Sequence, residues 1–223
     1  MPRIPVLIPV NGLSLQGEIV IPRDPQAIII FSHGSGSSRL SPRNRFVAEH
    51  LNDAGFATLL FDLLSSEEEQ FLRNRFDIDL LSARLITVTE WVKKQPSLEE
   101  LPIGYFGAST GAASAIRAAA AGASVYAVVS RGGRPDLAGE ALSSVEAATL
   151  LIVGSHDPEV LELNRRALRR MLCPKELKVI EGASHLFEEG DTLSEVCRHA
   201  TKWFEKHLPV AGRKTKKQSY VPR

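Results

Sequence analysis

The chain has 223 residues, 43% hydrophobic and 24% charged, and its 27 basic and 26 acidic side chains leave a formal net charge of +1. That balance fits one large globular domain with a buried core; it excludes a chain disordered throughout and gives no general surface for nucleic acid. Two cysteines, Cys173 and Cys197, cannot build a disulfide framework and suit a reducing compartment.

The N-terminus, MPRIPVLIPVNG, is interrupted by prolines and lacks the unbroken apolar core of a signal peptide. No run approaches the roughly 18 apolar residues of a membrane span. A cytoplasmic protein with no membrane partner is expected. The segment PVLIPVNGLSLQGEIVIP predicts two strands joined at Asn11-Gly12, a strong hairpin signal. AIIIFS, from Ala27 to Ser32, is a continuous apolar run of the kind buried on both faces of a parallel sheet. The glycine-rich loop HGSGSS follows.

Ser41-Pro42 starts a helix, serine as N-cap and proline in the first turn, and Gly55 ends it. FATLLFD is the next strand. A helix near 78–94, the strand IGYF, an alanine-rich helix, and the strands SVYAVVS and ATLLIVG come after it. A helix near 158–172, the strand ELKVI and a helix near 192–207 complete the series. Strands alternating with helices point to an α/β fold, a mostly parallel twisted sheet covered on both faces, with the hairpin at one edge. One domain is expected over residues 1–211. The basic segment 212–223, GRKTKKQSYVPR from Gly212, is expected to be a solvated, disordered tail.

GYFGASTGAAS carries the chemistry. Ser109 lies between the end of a buried strand and the start of a helix, flanked by Gly107 and Gly111. A side chain on so tight a turn stands clear of the backbone, and residues two positions away must be almost absent to avoid collision. This is the G-x-S-x-G nucleophile elbow. The bare pattern arises by chance about once in fifteen chains of this length, so partners must support it.

A serine hydroxyl needs a base, and the elbow orders its partners along the chain as serine, acid, histidine. Asp157 follows one strand and His185 the next, in that order. Asp157 also suits a helix N-cap before Pro158, and Asp136 is the rival acid. Thr192-Leu-Ser-Glu195 reads as a capping box that fixes His185 in the loop before the last helix. His156 reads as a surface residue. For the oxyanion, Thr110 offers a backbone N–H at a helix start, and the HGSGSS loop offers a second through Ser35, with Gly36 the alternative. His33 is expected to hold that loop. No metal site is read from the sequence.

Loop, elbow, acid and histidine in this order resemble the α/β-hydrolase superfamily, and HGSGSSRLSPRNRF is most similar to the dienelactone hydrolases. The resemblance spans about residues 5–208. It implies a cofactor-free hydrolase acting on a small-molecule ester, lactone or thioester; the short segments between the strand ending near Ser130 and the one starting near Ala148 leave no room for a substantial lid domain. Dienelactone hydrolase proper carries cysteine at the elbow, where this chain has Ser109; Cys173 and Cys197 read as core residues. A catalytically silent binding protein and an acyl transferase are the alternatives. Arg39, Arg43 and Arg45 follow the oxyanion loop, and Arg131 and Arg134 follow the strand that ends beside the elbow strand. In open α/β sheets ligands bind at that edge, so Arg131 first, then Arg39, are candidates to hold an anionic substrate group.

Overall fold

The computed structural model describes residues 1–209, so the basic segment and the domain end expected at 211 lie outside the described residues. The order is β1 (Ile4–Val10), β2 (Leu13–Val20), β3 (Ile28–Ser32), α1 (Pro42–Asp53), β4 (Ala57–Phe61), α2 (Leu72–Arg75), α3 (Ile78–Val92) and β5 (Ile103–Ala108). Then follow α4 (Thr110–Ala120), β6 (Val125–Arg131), α5 (Ala141–Ser144), β7 (Ala148–Gly154), α6 (Pro158–Arg170), β8 (Lys175–Ile180) and α7 (Thr192–His207).

The strands form one sheet in the order β1-β2-β4-β3-β5-β6-β7-β8. β1 and β2 are antiparallel, turning at Asn11 (φ 44°) and Gly12 (φ 83°), and β2 lies antiparallel to β4. From β4 to β8 every pairing is parallel. β3, β4, β5 and β7 are buried along their whole length, which is why they read as unbroken apolar runs without alternation.

Each face has its own apolar layer. Val47 and Leu51 of α1 pack with Val196, Ala200 and Phe204 of α7 against Ile29, Phe106 and Val129. On the other face, Leu81, Leu85 and Val88 of α3 and Ala113 and Ile116 of α4 cover Ile30, Tyr105 and Val128. The chain leaves β3 toward β4 on one side and returns to β5 on the other. A crevice therefore opens at the carboxyl ends of β3 and β5.

α1 starts as the sequence predicts, with Ser41 Oγ accepting the Asn44 N–H at 3.3 Å. α7 does not. The expected capping box is absent: Asp191 holds the N-cap position without a side-chain bond, and Thr192, already inside the helix, has its Oγ1 buried with no partner among the described residues. The reason is the 3.1 Å bond from the Thr192 N–H to Glu189 O, which turns the chain one residue early. Short turns at Glu68–Gln70 and Pro135–Ala138, and the single-turn helices α2 and α5, were not legible in the sequence. Each is too short to show a period.

Two devices hold the crevice. α4 crosses the end of β3 so closely that a Cβ on Gly111 would overlap Ser32 O and stand 2.5 Å from His33 O. Beneath that crossing, Ser32 Oγ and Ser114 Oγ share a buried hydrogen bond of 2.7 Å. His33 then fastens the loop. Its Nε2 accepts the Leu63 N–H at 3.0 Å, which leaves Nδ1 as the donor to Gly34 O at 2.9 Å. Burial lowers the His33 pKa below its ordinary 6.5 and keeps the ring neutral.

Gly111→Ala should cost about 3 kcal/mol of stability, because backbone carbonyls on both sides cannot yield. Denaturant unfolding checks this; a loss under 1 kcal/mol would mean that α4 can lift off β3. His33 makes stability depend on pH. The unfolded chain protonates this residue below about pH 6.5 while the folded chain resists, so stability falls with falling pH, by up to about 1.4 kcal/mol per unit. His33→Gln should flatten that acid limb by about 1–2 kcal/mol between pH 7.5 and 5. Parallel curves for the two proteins would remove His33 from the account.

Candidate active site

Ser109 sits between β5 and α4 with φ 51° and ψ −123°. A non-glycine residue pays on the order of 1–3 kcal/mol for such a conformation, and the surroundings must impose it. They do so at three points. The Ser109 N–H donates to Arg131 O at 3.2 Å, and Ser109 O accepts from Ala112 and Arg134 at 3.1 Å. A Cβ on Gly107 would stand 2.5 Å from Ala112 Cα. The two elbow glycines thus serve different contacts: Gly107 clears the first turn of α4, and Gly111 clears the end of β3.

Gly34 is a third glycine that sequence reasoning did not single out. A Cβ there would lie 3.0 Å from Ser109 Cβ and 3.2 Å from Ala108 O, so a side chain at this point would crowd the serine. Its signal was its place in the HGSGSS loop, which the sequence analysis read for an oxyanion donor at Ser35 or Gly36 and not for the close approach at residue 34.

Asp157 occupies the N-cap position of α6 but makes no side-chain cap bond. Its carboxylate accepts from His185 Nδ1 at 2.6 Å instead. That bond fixes the tautomer: Nδ1 carries the proton, and Nε2 keeps its lone pair for use as a base. The aspartate is the more buried partner, with 15% of its side chain exposed against 39% for the histidine. The rival acid, Asp136, is taken by a two-point contact with Arg134 at 2.8 and 2.9 Å. His156 is exposed.

His185 reaches the serine's neighbourhood through the end of β6. A Cβ on Gly132 would stand 3.0 Å from His185 O and 3.6 Å from His185 Cε1, and Gly132 directly follows the residue that bonds Ser109. No hydrogen bond joins Ser109 to His185 among the described residues; catalytic bonds of this kind often tighten only with substrate in place. Phe187, buried at 2% exposure, takes φ 58° two residues after the histidine. The His185 loop is thus a second strained segment, pinned by an apolar ring.

The oxyanion donors need a correction. Thr110 begins α4, so its N–H has no partner within the helix and stands at the positive end of the dipole. Ser35, expected as the second donor, has its N–H tied to Thr110 Oγ1 at 2.9 Å. The bond clamps the loop to the elbow. A second donor then requires the Thr110 hydroxyl to rotate away from Ser35, or the N–H of Gly36, which has no partner among the described residues.

The arginines also differ from expectation. Arg39 is not free for a ligand, because Asp62 and Gln16 hold its guanidinium. Arg131 is buried with its Nη1 unpartnered among the described residues. Cys173 and Cys197 are buried and free, away from the elbow. Among the described residues no cluster of His, Cys, Asp and Glu could hold a metal ion, and no helix is long and apolar enough to cross a membrane. A hollow of about 530 Å³ lined by Ile103, Val125 and Tyr126 lies at the amino ends of β5 and β6, the wrong end of the sheet for this chemistry.

Known proteins match this chain over nearly its whole length. A model of the Dienelactone hydrolase family matches residues 15–208. The crystal structure of a dienelactone hydrolase from Anabaena variabilis is 50% identical, covers 93% of this chain and 99% of its own, and superposes with a TM-score of 0.90. Est1E from Butyrivibrio proteoclasticus shares the fold at 16% identity, with a TM-score of 0.78 over 92% of this chain and 98% of its own. A Mycobacterium tuberculosis protein, provisionally named a phosphoribosyl transferase, is 55% identical over 208 residues. Those residues are 93% of this chain and 47% of that protein, so the chain spans about half the length of the curated relatives it matches. On fold, elbow and family match together, this chain belongs to the dienelactone hydrolase family.

Proposed function

We propose that the protein is a serine hydrolase that cleaves a small ester, lactone or thioester through an acyl-enzyme on Ser109. The observation that carries this reading is the 2.6 Å bond between His185 and Asp157, formed beside a serine held at φ 51°. His185 Nε2 takes the hydroxyl proton as Ser109 Oγ bonds the substrate carbonyl carbon. The oxygen that becomes negative meets the Thr110 N–H and a donor from the 34–36 loop. His185 then passes its proton to the departing alcohol or thiol, leaving an ester on Ser109. Water enters, gives a proton to the same nitrogen and attacks the acyl carbon; the bond to Ser109 Oγ then breaks, Oγ takes the proton back from His185, and the acid leaves. Asp157 keeps the ring in one tautomer throughout and balances the imidazolium charge.

The hydrolase name of the Anabaena protein, at 50% identity, supports this reading. About half of each mycobacterial relative lies outside the match, so a phosphoribosyl transfer activity needs no counterpart in this site.

Ser109→Ala should lower kcat/KM by about a thousandfold or more while leaving the fold intact, because members of such a set act as a unit. A serine-directed phosphonate should label the native protein at Ser109 and leave the variant untouched. Near-native turnover by the variant would remove Ser109 from the chemistry. Acyl length supplies a second check. The 132–147 connection, a usual place for a lid in this superfamily, holds only a single turn and the short α5. With no tunnel there to enclose a chain, kcat/KM should fall from short acyl esters to long ones. A rising series would contradict an open site.

A further inference from the structure

Hydroxyls buried in the helices of this protein spend their hydrogens on the turn behind them. Ser82 donates to Ile78 O, Thr89 to Leu85 O and Ser114 to Gly111 O, at 2.5 to 3.0 Å. Thr110 has no such turn. It is the first residue of α4, and the residues behind Ser109 belong to β5, which pairs with a strand on either side. Thr110 Oγ1 accepts the Ser35 N–H at 2.9 Å, and its own hydrogen has no acceptor among the described residues. Only 4% of the residue is exposed. A hydroxyl carries one hydrogen to give as well as lone pairs to accept with, and one buried this deeply ordinarily uses both.

The unspent hydrogen lies beside the nucleophile. Ser35 follows Gly34, where a Cβ would stand 3.0 Å from Ser109 Cβ and 3.8 Å from Ser109 Oγ. The bond from Ser35 to Thr110 therefore closes the gap between loop and elbow next to the attacking oxygen. The Thr110 N–H, at the helix start, is the other donor of the same residue without a partner in α4. Backbone nitrogen and hydroxyl of one threonine are related by a single side-chain torsion, so one acceptor can meet both hydrogens.

We infer that the Thr110 hydroxyl is itself an oxyanion donor, so that Thr110 serves the negative oxygen twice, through its N–H and through Oγ1–H. Ser35 acts through it. A hydroxyl that accepts an N–H bond is polarised and donates more strongly, so the loop reaches the substrate oxygen by relay. The hydroxyl then need not rotate away from Ser35, and the donors stand in place before the charge develops. No proton moves along the relay; the two hydrogen bonds stabilise the oxygen until the tetrahedral intermediate collapses. This inference rests on the acyl-enzyme reading above and adds a side chain to the groups that touch the reacting atoms.

Thr110→Val keeps the shape of the side chain and removes the hydroxyl. For a short acyl ester kcat/KM should fall roughly a hundredfold, mostly in kcat, and Thr110→Ser should recover most of it. A rate equal to or above native in Thr110→Val would make the hydroxyl a plug on the Ser35 N–H and overturn the inference. Hydrogen exchange at Leu63, whose N–H is held by His33 Nε2 at 3.0 Å, reports whether the loop is still seated. Leu63 should be as protected in Thr110→Val as in the native protein. Protection lost together with rate would leave Thr110 a structural clamp and overturn the catalytic role. The serine-directed phosphonate separates this inference from the hydrolase reading, because its phosphoryl oxygen takes the place of the carbonyl oxygen. Labelling of Ser109 should be about a hundredfold slower in Thr110→Val than in the native protein. Equal labelling rates would overturn the Thr110 assignment and leave the hydrolase reading intact; no labelling of the native protein would overturn both.

Discussion

A backbone contact between Gly111, in the first turn of α4, and the carbonyls of Ser32 and His33, at the end of β3, sets the position of everything else at the site. The helix can lie that low only because residue 111 has no side chain. Its low seat brings the Thr110 hydroxyl within 2.9 Å of the Ser35 N–H, and Ser114 within 2.7 Å of Ser32. The oxyanion loop and the elbow are thereby fixed to each other instead of being two mobile loops near one another. Strain at Ser109 is the cost, and the bonds from Arg131, Ala112 and Arg134 to its backbone hold the serine there.

Strain of the same kind recurs across the crevice. Phe187 is forced to φ 58° by burial of its ring in the α1/α7 layer, and that anchors the loop bearing His185. Asp157 completes the arrangement by declining the role its position offers. At the N-cap of α6 its carboxylate could accept helix N–H groups, yet the structure spends it on the histidine. A proline in the first turn, Pro158, removes one of the donors that would have competed.

Charge is handled unevenly around this centre. Arg39, Arg43, Arg45 and Arg134 are neutralised by acids from the residue after β4, the His185 loop, β2 and the connection after β6. These pairs tie the rim together at little net gain or loss, as half-exposed pairs do. Arg131 alone is buried without such a partner among the described residues, and it stands between the serine and the histidine.

The sequence by itself determined the order of strands and helices, the hairpin at Asn11-Gly12 and the start of α1 at Ser41, and it singled out Ser109, Asp157 and His185 as the candidate set. These are local signals: periodicity, turn chemistry and a motif whose spacing is fixed by one tight turn. It also singled out Arg131 and Arg39 together, without a means to separate them. Only the tertiary structure did that, by giving Arg39 an acid from the end of β4 and leaving Arg131 facing Arg43. It likewise decided that Ser35 is tied to Thr110, that Asp157 serves His185 and not its own helix, and that no capping box starts α7. In each case the deciding partner is far away in the chain or competes with a nearby one. A hydrogen-bonding group takes whichever partner packing brings within 3 Å, and packing is what a linear sequence does not display.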